Sequence, residues 1–382
     1  MNKLKSSKLP QTIMCFFFLG LIGIFSFINL AELFFPKEEK NILVNLSSLE
    51  SCENTAVTLW GGFQKLIGKK RVIGNSFYSD VVRTKNKTIT MADENPGFET
   101  AIISAIYANE FANNMDSDFL YVLVPGKELS KEDLPKGVTD YSVEKYNGIR
   151  DSLLELEIPF LDMRRIIQED MKENGNEWMN YFYQTDHHWR NNAAFLAYQN
   201  ICARLSTDFE MNEEYLNPQS YNRKTYENVF LGSCGRMVGP LYGGLDDYEL
   251  WLPDFDTDFT MSVPFSDIQK EGSFEDCFVN YENLEEYSYD YYAYYAYLKE
   301  DYELIEIKNN KQKNGPKVII LRDSEAVPVS VFLATQCSEL DIIDLRYQKE
   351  LNPYDYITDK NPDLILYIYG TGYVGSADAF LF

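Results

Sequence analysis

Four stretches of this chain are dominated by apolar residues: "DFLYVLV" at 118–124, "KVIIL" at 317–321, "LDIID" at 340–344 and "LILYIYG" at 364–370. A strand with one wet face alternates apolar and polar residues, whereas one buried on both faces reads as a continuous apolar run. Segments with helical spacing lie between and around them, among them "GFETAIISAIYANEFANNM", "SVEKYNGIRDSLLELE", "RRIIQEDMKEN", "WRNNAAFLAYQNICARL", "EAVPVSVFLATQCS" and "NPYDYITDKN". Such alternation predicts a parallel sheet covered on both faces, a three-layer α/β/α fold. "IPFLDM" predicts a further short strand, and "WMNYFYQTD" a strand ending on Asp186.

This pattern organises residues 97–382 and is interrupted at about 208–312. The interruption is acidic and aromatic, as in "YSYDYYAYYAYLKEDYE", and reads as an insertion: a lid, a glycan-facing surface or a tyrosine-rich packed meander. Residues 37–96 are polar and irregular and read as a stalk plus the start of the domain. Residues 1–36 hold an uncharged run from Thr12 to Ala31, preceded by Lys3, Lys5 and Lys8 and followed by Glu32, Glu38 and Glu39. About twenty apolar residues at roughly 1.5 Å each cross a hydrocarbon core, so a transmembrane helix is expected rather than a cleaved signal peptide. The charge asymmetry puts the N-terminus in the cytoplasm and the rest outside a cell membrane crossed once. A net charge of -24 excludes a nucleic-acid partner, because a phosphate backbone would be repelled. Cys52, Cys202, Cys234, Cys277 and Cys337 contain no Cys-x-x-Cys pair, which leaves room for one or two disulfides and indicates no metal cluster or other cofactor.

Both histidines of the chain stand in "YQTDHHWRNN" at 183–192. Three readings compete for Asp186-His187-His188: a metal site, a packed corner, or a relay in which a carboxylate orients an imidazole that deprotonates a hydroxyl. On extended backbone alternate residues share a direction, so Asp186 and His188 can converge while His187 points elsewhere. That geometry and the shortage of further histidines favour the relay over zinc. A relay needs a nucleophile on a turn at a strand's carboxyl end. Ser324 follows "KVIIL" and precedes a helix whose N-terminus can help hold an oxyanion, while Ser76 follows only the short "RVI". Either serine can also be a simple helix cap. Ser324 is the favoured nucleophile.

The motifs "TDHHW", "KVIILRDS" with "VFLA", "DLRY" and "NPDLILYIY" together resemble the bacterial DHHW proteins, a family similar to the SGNH-hydrolase-like alginate O-acetyltransferases. In that group an Asp-x-His pair precedes the Asp-Ser nucleophile motif, and this chain has the same order. The resemblance implies Ser324 as nucleophile, His188 as general base and Asp186 as its orienting carboxylate. Arg322 stands where the usual motif has glycine, and Glu325 follows the serine, so both add charge at the nucleophile and Arg322 becomes a candidate substrate or oxyanion contact. Gly232 and Ser233 in "FLGSCGRMVG" are candidate oxyanion donors, and Lys127 falls where that group carries a similar lysine, which implies a residue that positions substrate or one that simply pairs with an acid. The implied function is a membrane-anchored extracytoplasmic serine O-acetyltransferase, or acetylesterase, acting on an exopolysaccharide or cell-wall polysaccharide. Acetyl-CoA is absent outside the cell, so the resemblance also implies a polytopic membrane O-acyltransferase that supplies acetyl groups. The competing class is a non-catalytic glycan-binding protein in a degenerate SGNH fold.

Overall fold

The structure is a computed structural model that describes residues 43–73, 80–95, 98–347 and 349–371, with Gly20 and Gly23. The apolar run at 12–31 falls outside the described residues apart from those two glycines, and Ser76 falls outside them as well. Among the described residues no helix is long and apolar enough to cross a membrane. The chain forms two compact units, Met1–Thr55 and Ala56–Phe382.

The second unit is built on an eight-stranded sheet in the order β5-β4-β13-β11-β12-β10-β8-β9. Its parallel half comprises β4 (Asp118–Val124), β5 (Phe160–Asp162), β11 (Lys317–Arg322), β12 (Glu339–Asp344) and β13 (Leu364–Gly370). The expected all-parallel sheet is corrected at the other half. There β8 (Phe259–Val263), β9 (Ile268–Gly272) and β10 (Leu304–Asn309) join antiparallel. All three come from the 208–312 segment, which therefore extends the main sheet. The physical reason lies in their pattern. In β8 the residues Phe259, Met261 and Val263 are buried and Thr260 and Ser262 are half-buried, an alternation that suits antiparallel strands near an edge.

Side chains of the parallel strands divide between two cores by the period-two rule. Leu364, Leu366 and Ile368 face one side of β13, with α4 (Met163–Asn174), α5 (Asn191–Leu205) and α7 (Val327–Ala334). Ile365, Tyr367 and Tyr369 face the other, with α2 (Phe98–Asn114), α3 (Ser142–Glu155) and α8 (Pro353–Lys360). Local signals set the helix limits. Asp162 caps α4 by accepting from the Arg165 N–H, and Gly175, at φ 69°, ends it in the left-handed region where a side chain is strained. A smaller antiparallel sheet, β1 (Arg71–Ile73), β2 (Asp80–Arg83) and β3 (Ile89–Met91), packs Val72, Val81 and Ile89 against Cys234 and Val238 of α6 (Ser233–Val238). The remaining long helix, α1, spans Leu43–Leu66, and the hairpin β6 (Tyr221–Phe230)–β7 (Asp246–Pro253) flanks the larger core. Cys202, Cys234, Cys277 and Cys337 are buried thiols, so the disulfides considered from sequence do not involve them.

Arg322 ends β11 with its guanidinium wholly buried, paired with Asp301 at 2.7 Å and Asp344 at 3.3 Å. Arg346 closes the square on the same two carboxylates, at 3.1 and 2.5 Å. Two cations and two anions compensate one another inside the fold, which is how charges survive burial. Removing one member leaves an excess buried charge. Arg322→Met is therefore expected to cost about 3–5 kcal/mol and to lower Tm markedly, measured by chemical and thermal unfolding. A loss under about 1 kcal/mol would show that the square does not hold this rim together.

Candidate active site

The carboxyl ends of β4, β11 and β13 lie side by side, and a loop carrying both histidines meets them there. "WMNYFYQTD" is not the expected strand: Trp178–Tyr181 form a 3-10 turn, and the loop is closed by a single antiparallel bridge between Phe182 and Trp189. Asp246, at the start of β7, clasps the loop from beneath. Its carboxylate accepts from the N–H of Gln184 and of Thr185 and from Thr185 Oγ, each at 2.7 Å.

Within this loop Asp186 is completely buried and its carboxylate is fully used. One oxygen accepts from the His188 N–H at 2.9 Å and faces His188 Nδ1 at 2.5 Å. The other accepts from the Ser233 N–H at 2.6 Å and from the Tyr292 hydroxyl. A carboxylate can only accept, so Nδ1 carries a hydrogen and Nε2 of the neutral ring is left as an acceptor. That Nε2 lies 2.7 Å from Ser324 Oγ. The His188 ring stacks on Tyr294 at 3.8 Å, which fixes its plane.

Ser324 begins a 3-10 turn directly after β11. Asp323 holds the turn, one carboxylate oxygen accepting from the Glu325 N–H at 2.9 Å and the other from the Gly370 N–H at 2.8 Å. Trp189 Nε1–H and the Tyr294 hydroxyl both donate to the Glu325 carbonyl, at 2.8 and 3.3 Å. The histidine loop, the serine turn and the tyrosine segment are thus tied to one another by direct hydrogen bonds.

The electrostatics follow from burial and charge. Burial alone would raise Asp186, but the neighbouring His188 and His187 and the hydrogen bonds from His188 and Tyr292 hold its carboxyl well below the usual range. Burial would lower His188, yet Asp186 and Glu325 outweigh it and raise its pKa above the ordinary imidazole value. Glu325, buried beside them, is pushed up to about 8, by burial first and then by Asp323 and Asp186, while His188 pulls the other way.

The remaining candidates from the sequence take other places. His187 is 44% exposed but stays close to the pair, its ring 3.8 Å from that of His188 and its Nδ1 3.8 Å from Asp186 and 2.8 Å from Ser233 Oγ. Gly232 and Ser233 are corrected as oxyanion donors: the Gly232 N–H is given to Thr185 Oγ and the Ser233 N–H to Asp186. Their function in the fold is support, and a Cβ on Gly232 would lie 2.4 Å from that of Asp186. Lys127 lines a cavity with Ser324, and its Nζ donates to the Ile89 and Gln184 carbonyls at 2.8 and 3.2 Å rather than to an acid. Arg322 is corrected as a substrate or oxyanion contact by its buried pairing with Asp301 and Asp344. Asp186, His187 and His188 bring possible metal-ligand atoms within 4.8 Å of one another. A metal there would have to displace the contacts that Asp186 and His188 already make to Ser233, Tyr292 and Ser324, so the donor set fits it poorly.

Sequence reasoning missed Tyr292, Tyr294, Asp246 and Arg346. Two cavities, of about 450 and 690 Å³, open on the site, and Ser324, His187 and Arg346 line both. The first is walled by β3, the loop after β4 and the end of β13; the second is walled by the tyrosine segment and Arg236.

An Asp–His–Ser chain at the carboxyl rim of an α/β sheet is an arrangement that can activate a serine hydroxyl, and it recurs on unrelated folds. The family model for the SGNH hydrolase-like domain of acetyltransferase AlgX matches residues 86–240, a stretch that contains Asp186 and His188 and ends before Ser324. That stretch is therefore similar to an SGNH hydrolase-like domain. Among solved structures it is similar to a DHHW family protein from Eubacterium siraeum, at 20% identity and TM-score 0.60 over 81% of this chain and 97% of that one. It is also similar to Bacillus cereus PatB1 carrying a sulfonyl adduct, at 20% identity and TM-score 0.60 over 81% of this chain and 99% of that one. At these identities the likeness is one of fold. No curated protein matches the chain.

If His188 takes the serine proton it must be neutral, and its raised pKa keeps it protonated to a higher pH than a free imidazole. The pH profile of kcat/KM for a small acetyl ester is expected to rise with a midpoint above about 6.5. A flat profile, or a midpoint below that value, would contradict the dominance of Asp186 and Glu325 over burial at His188.

Proposed function

We propose that this chain is an extracytoplasmic serine O-acetyltransferase, or acetylesterase, that acts on a polysaccharide through an acetyl-enzyme. The observation that carries the reading is the continuous buried path from Asp186 through His188 to Ser324 Oγ. A domain that only bound sugar would have no need of a desolvated, fully connected Asp–His–Ser network beside two cavities.

In the proposed reaction Ser324 Oγ bonds to the acetyl carbonyl carbon as its proton passes to His188 Nε2. The imidazolium, stabilised by Asp186, returns that proton to the departing oxygen of the donor, and the donor's bond to the acetyl carbon breaks. A sugar hydroxyl then gives its proton to His188 and attacks the acetyl carbon, and Ser324 leaves with the proton restored. Water in place of the sugar makes the same sequence an esterase. Arg346 lines both cavities beside Ser324 while its guanidinium is held by Asp301 and Asp344, so it supports the rim. The reading extends to an anchor at residues 12–31 and to a polytopic membrane O-acyltransferase as the source of acetyl groups.

Ester turnover by the full chain is expected to vanish in Ser324→Ala and His188→Ala and to survive in His187→Ala. Asp186→Asn should lower kcat on the order of a thousandfold or more, because an amide can hold the wrong tautomer. Ser324→Ala should melt with the parent chain, since it removes one hydroxyl. Equal loss from both histidine variants, or activity restored by added zinc, would overturn the relay in favour of a metal.

A further inference from the structure

Acyl transfer puts negative charge on the acetyl oxygen, and a serine site needs hydrogen-bond donors aimed at that oxygen. Four backbone donors near Ser324 are already engaged. Asp323 takes the N–H groups of Glu325 and Gly370, at 2.9 and 2.8 Å, Thr185 takes that of Gly232, and Asp186 takes that of Ser233. The cations are engaged as well. Arg346 is held by Asp301 and Asp344, and Lys127 Nζ by two carbonyls. Across the smaller cavity Lys145 pairs with Asp93 at 2.6 Å, Arg164 with Glu128 at 3.3 Å, and Asp140 accepts from the Asp93 N–H at 2.8 Å.

Glu325, the residue after the serine, stands differently. Its backbone is fixed on both sides: the N–H goes to Asp323, and the carbonyl accepts from Trp189 Nε1–H and from the Tyr294 hydroxyl. Its side chain packs over Gly370, where a Cβ would lie 3.1 Å from Glu325 Cγ. The carboxyl is buried, lines the smaller cavity with Ser324, and receives one long contact, from the Trp189 N–H at 3.4 Å. Three carboxyls crowd this centre, and hydrogen bonds decide which of them keeps a proton. Asp186 and Asp323 each accept at both oxygens, which favours their anions. Glu325 lacks such donors. Burial, and then the charges of Asp323 and Asp186, push its carboxyl up to about 8, with His188 pulling the other way.

We propose that Glu325 acts as a neutral carboxylic acid whose O–H donates a hydrogen bond to the acetyl oxygen as that oxygen becomes negative. The inference rests on the acetyl-enzyme reading and deepens it. As the bond from Ser324 Oγ to the acetyl carbon forms, an electron pair of the carbonyl moves onto its oxygen and the Glu325 hydrogen bond tightens. The proton stays on Glu325, and the bond relaxes when the carbonyl reforms and the donor oxygen leaves. A carboxylic acid kept neutral by its surroundings is suited to this donation. Ionised, Glu325 would set a second negative charge against the oxyanion. It would also hold a proton on His188 and so withdraw the base.

The test is turnover of a small acetyl ester by the full chain across pH. The rate should rise as His188 loses its proton and fall again, with a midpoint of about 8, as Glu325 loses its own. Glu325→Leu removes the donor and should lower kcat on the order of a hundredfold or more. Glu325→Gln keeps an N–H donor that does not titrate, so it should turn over at least about tenfold faster than the leucine variant and show no fall at high pH. An infrared difference spectrum, parent minus Glu325→Gln, should carry the carbonyl band of an un-ionised acid at neutral pH and lose it through the same midpoint. A fall at high pH that survives in Glu325→Gln, a leucine variant as active as the glutamine one, or a spectrum without that band would overturn the proposal. Undiminished turnover in Ser324→Ala would instead overturn the acetyl-enzyme reading, and the role of Glu325 within it, while the infrared band would stand.

Discussion

A single buried carboxylate organises the chemistry of this domain. Asp186 has no solvent to share its charge, so each of its oxygens must be satisfied from within, and the partners come from three separate parts of the chain. His188 supplies two of them, Ser233 a backbone N–H and Tyr292 a hydroxyl. Meeting that demand fixes the imidazole's tautomer and aims Nε2 at Ser324. An unpaired carboxylate at this depth would instead gain a proton and release the ring.

The supports around this centre have the same logic at one remove. Asp246 fixes the backbone before Asp186, Gly232 lets the neighbouring loop approach it, and Tyr294 clamps both the His188 ring and the turn that bears Ser324. Asp323, capping that turn, reaches across to the Gly370 N–H at the end of β13. Ser324 is therefore referenced to the sheet, and His188 to the carboxylate. Both frames meet at a 2.7 Å contact.

Much of this was legible in the chain and some was not, for identifiable reasons. The parallel strands were readable because burial on both faces leaves a continuous apolar run, and Ser324 was readable as a residue on the turn that follows one. Asp186 and His188 converge as alternate residues do. By contrast β8 and β10 are short and interleaved with Thr, Ser, Glu and Lys, so their place in the main sheet depends on pairing with distant residues. The aim of Tyr292 at Asp186 spans 106 positions and has no periodic signature. Charged residues are hard to read for a related reason: Arg322 stands two positions before Ser324 and Lys127 follows β4, and only the fold shows that Asp301 and Asp344 hold the one and two backbone carbonyls the other. Gly232 and Ser233 reach the site as supports of Asp186, a difference of direction that only tertiary structure sets.

The central claim is that Ser324 becomes covalently acetylated along the path that begins at Asp186. Rapid acid quenching of the full chain during turnover of a small acetyl ester, followed by peptide mass spectrometry, addresses it directly. The expected result is one acetyl group on the peptide bearing Ser324, accumulating before steady state and absent in His188→Ala. Continued ester turnover with no acetyl on Ser324, or with the group on another residue, would contradict it.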